Sequence, residues 1–496
     1  MLPADEDILF RALRRKDARF DGRFFVGVVT TGIYCRPVCP ARNALRKNLR
    51  FYEHAAAAEA AGFRACRRCR PETAPGSPPW MGPAAVVGRA LRLLEHGATE
   101  EGLAAFASRF GVGERQLRRL FVRHLGASPG QILRTRRIHF AKQLVVETTM
   151  PLTEVALAAG FGSVRQFNAA YQGTFRRTPT QARRGKHAGA PEAPDATLEL
   201  RLPYRPPLAW REMLGFIQAR AILGVESVSG DRYRRTFDVE GRAGVLEVRP
   251  SGEEGRLVLA VRGGSPRALG ELVRRLRRQL DLDADPVSVG EHLEQSPLLA
   301  PLVRARPGLR VLRAFDPFET LVRVVLGQQI SVRAATTLSG RLVERFGAPF
   351  AGDPELKALF PEPADLQDAR IEEIGLTSAR AEALRALSRQ VMDGTLPLDG
   401  SAELDELVKR LCAAPGIGPW TAHVLAMRVA GEPDAFPASD LGLRQVAAGP
   451  GRAPIAAAEV EAMAEPWRPF RAYAAMHLWT HAALDGEGHA DRPVAV

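Results

Sequence analysis

The sequence predicts a multidomain protein with three successive fold types: a small α+β block, an all-α block, and a longer α+β region made of a β-rich subdomain and a helical core. Three observations carry this. The chain has 496 residues, more than one hydrophobic core accommodates, and three domains is the natural partition. Two Pro/Gly-rich seams cut it, PETAPGSPPWMGP (71–83) and GKHAGAPEAPDAT (185–197), both with the composition of linkers. Periodicity also changes along the chain: apolar residues recur at helical spacing between the seams and alternate after the second. YRRTFDVEGRAGVLEVRP and RLVLAVRGG read as strands, and from about residue 265 the pattern is helical again. The expected boundaries are 1–75, 84–185, 197–285 and 286–490.

Composition narrows the class. A chain that is 46% hydrophobic and 25% charged is ordinary for a soluble protein. No apolar run reaches the 18 or so residues of a membrane span, and the first twenty residues lack a signal-peptide apolar stretch. Five cysteines, four of them closely grouped, point to a reducing interior, so the expectation is a cytoplasmic protein with no membrane partner. The net charge of +13 is uneven. Residues 1–80 carry 15 Lys/Arg against 8 Asp/Glu (+7), residues 81–185 carry 16 against 6 (+10), and the remainder 38 against 42 (−4). The first two blocks therefore suit a polyanion. The third, if it binds nucleic acid, must do so through local geometry.

In the first block Cys35 and Cys39 form a C-x3-C pair and Cys66 and Cys69 a C-x2-C pair. Two such pairs about 30 residues apart read as one tetrahedral all-thiolate site for a single Zn2+. Spacing alone leaves two readings open, a structural finger or a reactive centre. The surrounding arginines (Arg36, Arg42, Arg64, Arg67, Arg68 and Arg70) favour a site that meets an anion.

The middle block contains one plan twice. In EGLAAFASRFGVGERQLRRLFVRHLG (101–126) and MPLTEVALAAGFGSVRQFNAAYQGTFRRTP (150–179), a small-residue turn separates two short helices and makes the second project outward. Arg115, Gln116, Arg118 and Arg119 lie on one second helix, and Val164, Arg165, Gln166 and Asn168 on the other. Arg, Gln and Asn can read base edges in the major groove. The GFGS-x3-F turn, the joining basic helix and the closing FRRTP resemble the AraC-type DNA-binding domain over roughly 84–185. Two reading heads in one chain would let a monomer suffice.

The phrase TTGIYCRPVCPARNALRKNLRFY, followed by EAAGFRACRRCRPE, resembles the N-terminal domain of the bacterial adaptive-response (Ada) regulators over about residues 5–72. The resemblance implies that Cys35 is both a zinc ligand and the acceptor of a methyl group from a DNA methylphosphotriester, with Cys39, Cys66 and Cys69 completing the metal set. Four thiolates on Zn2+ would carry net charge −2, which repels an ordinary phosphodiester but not a neutral triester. Methylation of Cys35 would bring the site to −1 and strengthen DNA binding, a charge switch. By the same resemblance Thr31, Arg42, Arg64 and Arg68 lie near the DNA backbone.

In the third block, LCAAPGIGPWTAHVLAMRV (411–429) sets Pro415-Gly416-Ile417-Gly418 between two helices. The glycines let backbone N–H groups approach a phosphate, which marks Gly416 and Gly418 as DNA contacts. Asp440 follows 20 residues after Trp420, beside a Gly/Pro-flanked turn. Together with ARPGLRVLRAFDPFETLVRVVLGQQISV and EPWRPFRAYAAMHLW, this resembles the helix-hairpin-helix glycosylases, and more narrowly DNA-3-methyladenine glycosylase II (the AlkA type) over about 198–488. The resemblance implies that Asp440 is catalytic, stabilising the cationic sugar or positioning water. It also implies that Trp420 and Trp479 are pocket aromatics, with Phe216 and Tyr233 as further walls. An alkylated purine is cationic and stacks well on electron-rich rings once flipped out of the helix. Bifunctional members carry lysine at the position of Trp420, which would form a Schiff base, so a monofunctional enzyme is expected. Where members insert a leucine wedge, this chain reads Gly327-Gln328-Gln329, making Gln329 a polar wedge. No P-C-H-R methyltransferase motif occurs.

The expected whole is a repair enzyme and sensor acting on alkylated and promoter double-stranded DNA, working with RNA polymerase on the nucleoid. The alternative is a methylation-sensing regulator whose glycosylase-like region only binds DNA.

Overall fold

The computed structural model describes residues 6–17, 20–41, 43–69, 71, 85–95, 102–183 and 197–485. Arg42, Arg70 and nearly all of both seams lie outside the described residues.

The first block is a four-stranded sheet, β1 (Phe25–Val28), β2 (Ile33–Cys35), β3 (Leu49–Tyr52) and β4 (Arg64–Ala65), in the order β3-β1-β2-β4. Helix Glu6–Arg15 buries Leu9, Ala12 and Leu13 on one face, packed with Phe24 and Val26. Acidic residues open its first turn and arginines close its last, matching the helix dipole. Strands β2 and β4 pair in parallel, so their ends deliver Cys35 and Cys66 to one place although 30 residues separate them.

The middle block is helical among its described residues. Helix Pro129–Glu147, started by a Ser128/Gln131 capping box, joins two hairpins whose second helices are Glu114–Leu125 and Val164–Phe175. Gly126 (φ 69°) and Arg176 (φ 54°) end those helices in the left-handed region, the usual stop at that position.

The third block begins with a five-stranded antiparallel sheet of β5 (Leu198–Pro203), β6 (Glu226–Ser229), β7 (Arg232–Val239), β8 (Arg242–Pro250) and β9 (Arg256–Gly263), ordered β5-β9-β8-β7-β6. The β7–β8 turn is the pair Glu240-Gly241, both at positive φ (57° and 70°), as a two-residue hairpin with the native twist requires. Helix Ala268–Gln279 covers this sheet, and the helical core runs from Pro286 to Asp485.

The blocks are not strung out as the seams suggest. One buried cluster runs from Phe25 and Tyr34 through Ile138 and Phe167 to Leu246, Leu321 and Trp467, so all three share core surface. Polar clamps add to it. Tyr34 and His139 both meet Glu59 Oε1, at 2.9 and 3.1 Å, and Thr135 donates to Glu59 Oε2 at 2.6 Å. Arg205 donates to the carbonyls of Asp21 (2.6 Å) and Asp283 (2.7 Å), and Arg23 pairs with Asp285. Arg92 binds Glu432 at 2.7 Å, Arg89 binds Glu403 at 3.0 Å, and Arg109 pairs with Asp399.

Candidate metal centre, DNA-reading helices and carboxylate pocket

The ligand atoms of Cys35, Cys39, Cys66 and Cys69 all lie within 4.8 Å of one another. A tetrahedron with the usual zinc–sulfur bond has edges of roughly 3.8 Å, so the donor set fits Zn2+ in number, softness and spacing. A divalent soft cation suits this set because it holds four adjacent sulfurs together as thiolates. Cys39, Cys66 and Cys69 are buried and Cys35 is half-buried. As a residue it is the least buried of the four. Its neighbour Arg36 turns away, its backbone N–H donating to Cys69 Sγ at 3.3 Å and its guanidinium to Asp21 at 2.7 Å. Thr31, Arg64, Arg67 and Arg68 are exposed around this end of the block, so the free cations there do not include Arg36.

On the two second helices Arg115, Gln116, Arg118, Arg119, Arg165, Gln166 and Asn168 are exposed, whereas Leu117, Phe121, Phe167 and Tyr171 point inward and are buried. Apolar residues at helical spacing therefore seat each helix and leave a polar face outward. Gln166 also turns back, its Oε1 accepting from the Gly162 N–H at 3.2 Å.

In the third block, Asp440 caps helix Leu441–Ala448, its Oδ1 accepting from the Leu443 N–H at 3.1 Å. Two indoles complete its shell: Trp420 Nε1 donates to Oδ2 and Trp479 Nε1 to Oδ1, each at 2.9 Å. At 3% exposure the carboxylate is nearly enclosed, and donors on both oxygens fix its orientation. Gly418 is the residue before helix Pro419–Leu425, and Gly416 stands at φ 73°. The turn after helix Pro317–Leu326 is tied to this hairpin by Gln328, whose Nε2 donates to Gly416 O (2.8 Å) and Thr421 Oγ1 (2.9 Å). Beside it Gln329 is exposed at φ 59°, a left-handed conformation that costs a non-glycine residue and is commonly kept at functional sites.

One expectation changes. Tyr233 is not a pocket wall: it is 0% exposed, its hydroxyl donates to Glu226 at 2.7 Å and accepts from Gln279 at 3.0 Å. A strand residue on the inner face of β7 is held in the core by that network. Phe216 is half-buried and lines a small cavity, with the Arg220 guanidinium 3.6 Å from its ring centre on one face. Sequence reasoning missed Gln328, although it lies within the GQQ stretch. It also missed Arg220, which carries no motif.

Four family models match in chain order: the metal binding domain of Ada (residues 9–72), a helix-turn-helix domain (106–185), the AlkA N-terminal domain (199–316) and the HhH-GPD superfamily base excision DNA repair protein (322–470). A Mycobacterium tuberculosis protein named probable bifunctional transcriptional activator/DNA repair enzyme AlkA is 41% identical over 480 residues, 96% of each chain. DNA-3-methyladenine glycosylase 2 of Escherichia coli is 34% identical over 281 residues, covering 56% of this chain and 95% of that one. Among solved structures, 3-methyladenine DNA-glycosylase from Archaeoglobus fulgidus aligns with a TM-score of 0.51 at 23% identity, over 58% of this chain and 99% of its own, a likeness of fold. With the metal-binding model lying over the four gathered cysteines, the cofactor is one Zn2+. No helix among the described residues is long and apolar enough to cross a membrane.

Proposed function

Because this chain belongs to the family of fused transcriptional activator/DNA repair proteins, we propose that it excises N-alkylated purines from DNA with Asp440, takes a methyl group from DNA onto Cys35, and regulates transcription through its two exposed reading helices. The chain is a DNA-binding repair protein. Its division at 1–75, 84–185, 197–285 and 286–490 is part of the proposal, as are monomeric action in the cytoplasm, on the nucleoid, and contact with RNA polymerase.

The observation that carries the enzymatic reading is the grip of both tryptophan N–H groups on Asp440. As the bond from the sugar C1′ to the base nitrogen breaks, the electron pair leaves with the base and positive charge develops on the sugar. A fixed, nearly enclosed carboxylate stabilises that charge without having to reorganise. Water then bonds to C1′ and loses a proton. Trp420 cannot form a Schiff base, so the product is an abasic site with an intact strand. Gln329 enters the gap left by the flipped base, while Gly416 and Gly418 bring the hairpin backbone to a phosphate.

At the first block, bound zinc supplies a low thiol pKa. The chain does the rest: Cys35 is the least buried ligand, and exposed Thr31, Arg64 and Arg68, with Arg42, meet the DNA backbone. Methyl transfer forms a carbon–sulfur bond at Cys35 and breaks the methyl–oxygen bond of the triester, leaving an ordinary phosphodiester.

The test uses duplex DNA carrying a radiolabelled methyl group. Label released as free purine and label on the protein that disappears in Cys35→Ala are both expected. Protein label without free base would reduce the third block to a binding module. Free base without protein label would reduce the cysteine block to scaffold.

A further inference from the structure

A cleft of about 1430 Å³ lies between the first helix-turn-helix unit and the third block, with Ser108, Arg109 and Gly111 on one side and Arg278 and Arg313 on the other. Arg313 is 6% exposed, and its side chain has neither a hydrogen bond nor an ion pair among the described residues. Its Nε is a buried donor with no acceptor. The guanidinium lies against Gly431, where only a residue without a Cβ fits.

The charges of Asp281 and Glu432 favour the Arg313 guanidinium, but neither carboxylate bonds to it and both hold other donors. Asp281 accepts from the Tyr473 hydroxyl at 2.7 Å, and Glu432 from Arg92 at 2.7 Å. Arg278 is nearly as poorly served. Among the described residues it reaches only the carbonyls of Ala314 and Phe315, each at 3.4 Å, beside Arg313 in the chain. The two cations disfavour each other: burial foremost, then Arg313, pulls Arg278 down to about 10.

A buried guanidinium without an acceptor is a costly arrangement, and two converging on one cleft resemble half of an ion pair. The planar fork of arginine suits a phosphate oxygen pair. We propose that this cleft binds a phosphate group through Arg313 and Arg278. The group belongs either to a free nucleotide or to the backbone of bound DNA. This site is separate from Asp440 and from the zinc centre, and the inference does not rest on the function proposed above.

The experiment uses the full zinc-loaded chain. Thermal shift is measured against inorganic phosphate and AMP, and AMP affinity by equilibrium dialysis. The wild type should be stabilised progressively by both ligands, and Arg313→Met and Arg278→Met should each weaken AMP binding at least tenfold. Arg313→Met takes a cation away from the buried Asp281, so each variant is assayed at a temperature where circular dichroism shows it folded. Arg313→Lys, which keeps the charge but loses the planar fork, serves as a second variant at that position. Loss of AMP binding in a folded variant is not unfolding. Loss of AMP binding on saturation with undamaged duplex assigns the site to the DNA backbone, and survival of AMP binding assigns it to a free nucleotide. Wild-type affinity in both methionine variants, or a wild type that binds neither phosphate nor AMP, overturns the proposal.

Discussion

At Asp440 the chain concentrates three donors on one carboxylate, and each does different work. The Leu443 N–H makes it a helix cap, while the two indoles aim it. Asp440→Asn keeps the cap, since Asn caps nearly as well as Asp, but removes the charge. Single-turnover excision of 7-methylguanine should fall by at least about 100-fold with duplex affinity nearly unchanged, while melting drops modestly because the Asn amide NH2 faces the Trp420 N–H. Persistence of excision in that variant would remove Asp440 from the chemistry. His477, on the same helix as Trp479, makes a second prediction. It is 3% exposed, and burial foremost, then Arg306, lowers it from 6.5 to about 4. The folded state thus holds it neutral while the unfolded chain binds a proton at about 6.5. Its contribution is intact above 6.5 and is lost as pH falls toward 4, by at most about 1.4 kcal/mol per pH unit. In urea titrations at pH 7 and pH 5, His477→Gln should lose less stability than the wild type; equal losses would show that another group controls this limb.

On the function proposed here, DNA contact by the third block runs through the hairpin Pro415–Gly418. A Cβ at Gly416 would meet the Ala383 Cβ at 2.8 Å, on backbone already at φ 73°. Gly416→Ala should therefore destabilise by about 1–2 kcal/mol and displace the carbonyl that Gln328 grips. Affinity for undamaged duplex should drop several-fold in a fluorescence titration; unchanged affinity would mean that the hairpin does not touch DNA. Elements of this kind are legible in sequence, because their signals are local. The strand pattern of 232–263, the paired turns at Gly111 and Gly160, and the two cysteine pairs all announce themselves within a dozen residues. Tyr233 is core rather than pocket wall because of its bonds to Glu226 and Gln279, the second of them 46 positions away and without a local signal. The clamp of Glu59 by Tyr34, Thr135 and His139 has no local signature, since it joins residues up to 80 positions apart. The same holds for Gln328, whose meaning comes from Gly416, 88 positions away.

At the scale of the molecule, the seams suggest independent beads, whereas the shared core and the arginine clamps make one body. Arg205 shows the difference. It is 2% exposed and anchors two carbonyls, one in the cysteine block and one in the glycosylase region. Burial foremost pulls its pKa down to about 9, so it is still charged at neutral pH and both bonds are charge-assisted. Asp21, whose carbonyl it holds, is also the carboxylate that holds Arg36 next to Cys35. A hydrogen-bonded path therefore runs from the methyl acceptor's neighbour into the third block. If the three blocks are coupled in this way, calorimetry of the zinc-loaded chain should show one transition rather than three, with equal calorimetric and van't Hoff enthalpies. Arg205→Met fills much of the same volume but removes the donor to the buried Asp21 carbonyl and the part-buried Asp283 carbonyl, at a cost of about 1–3 kcal/mol. It should split off an earlier transition accompanied by zinc release, detectable with a chromophoric chelator. Excision should survive below that transition, because Asp440 and its indoles lie far along the chain and share no bond with Arg205. A wild type that already melts in separate steps would return the blocks to independence and leave the clamp as a surface contact.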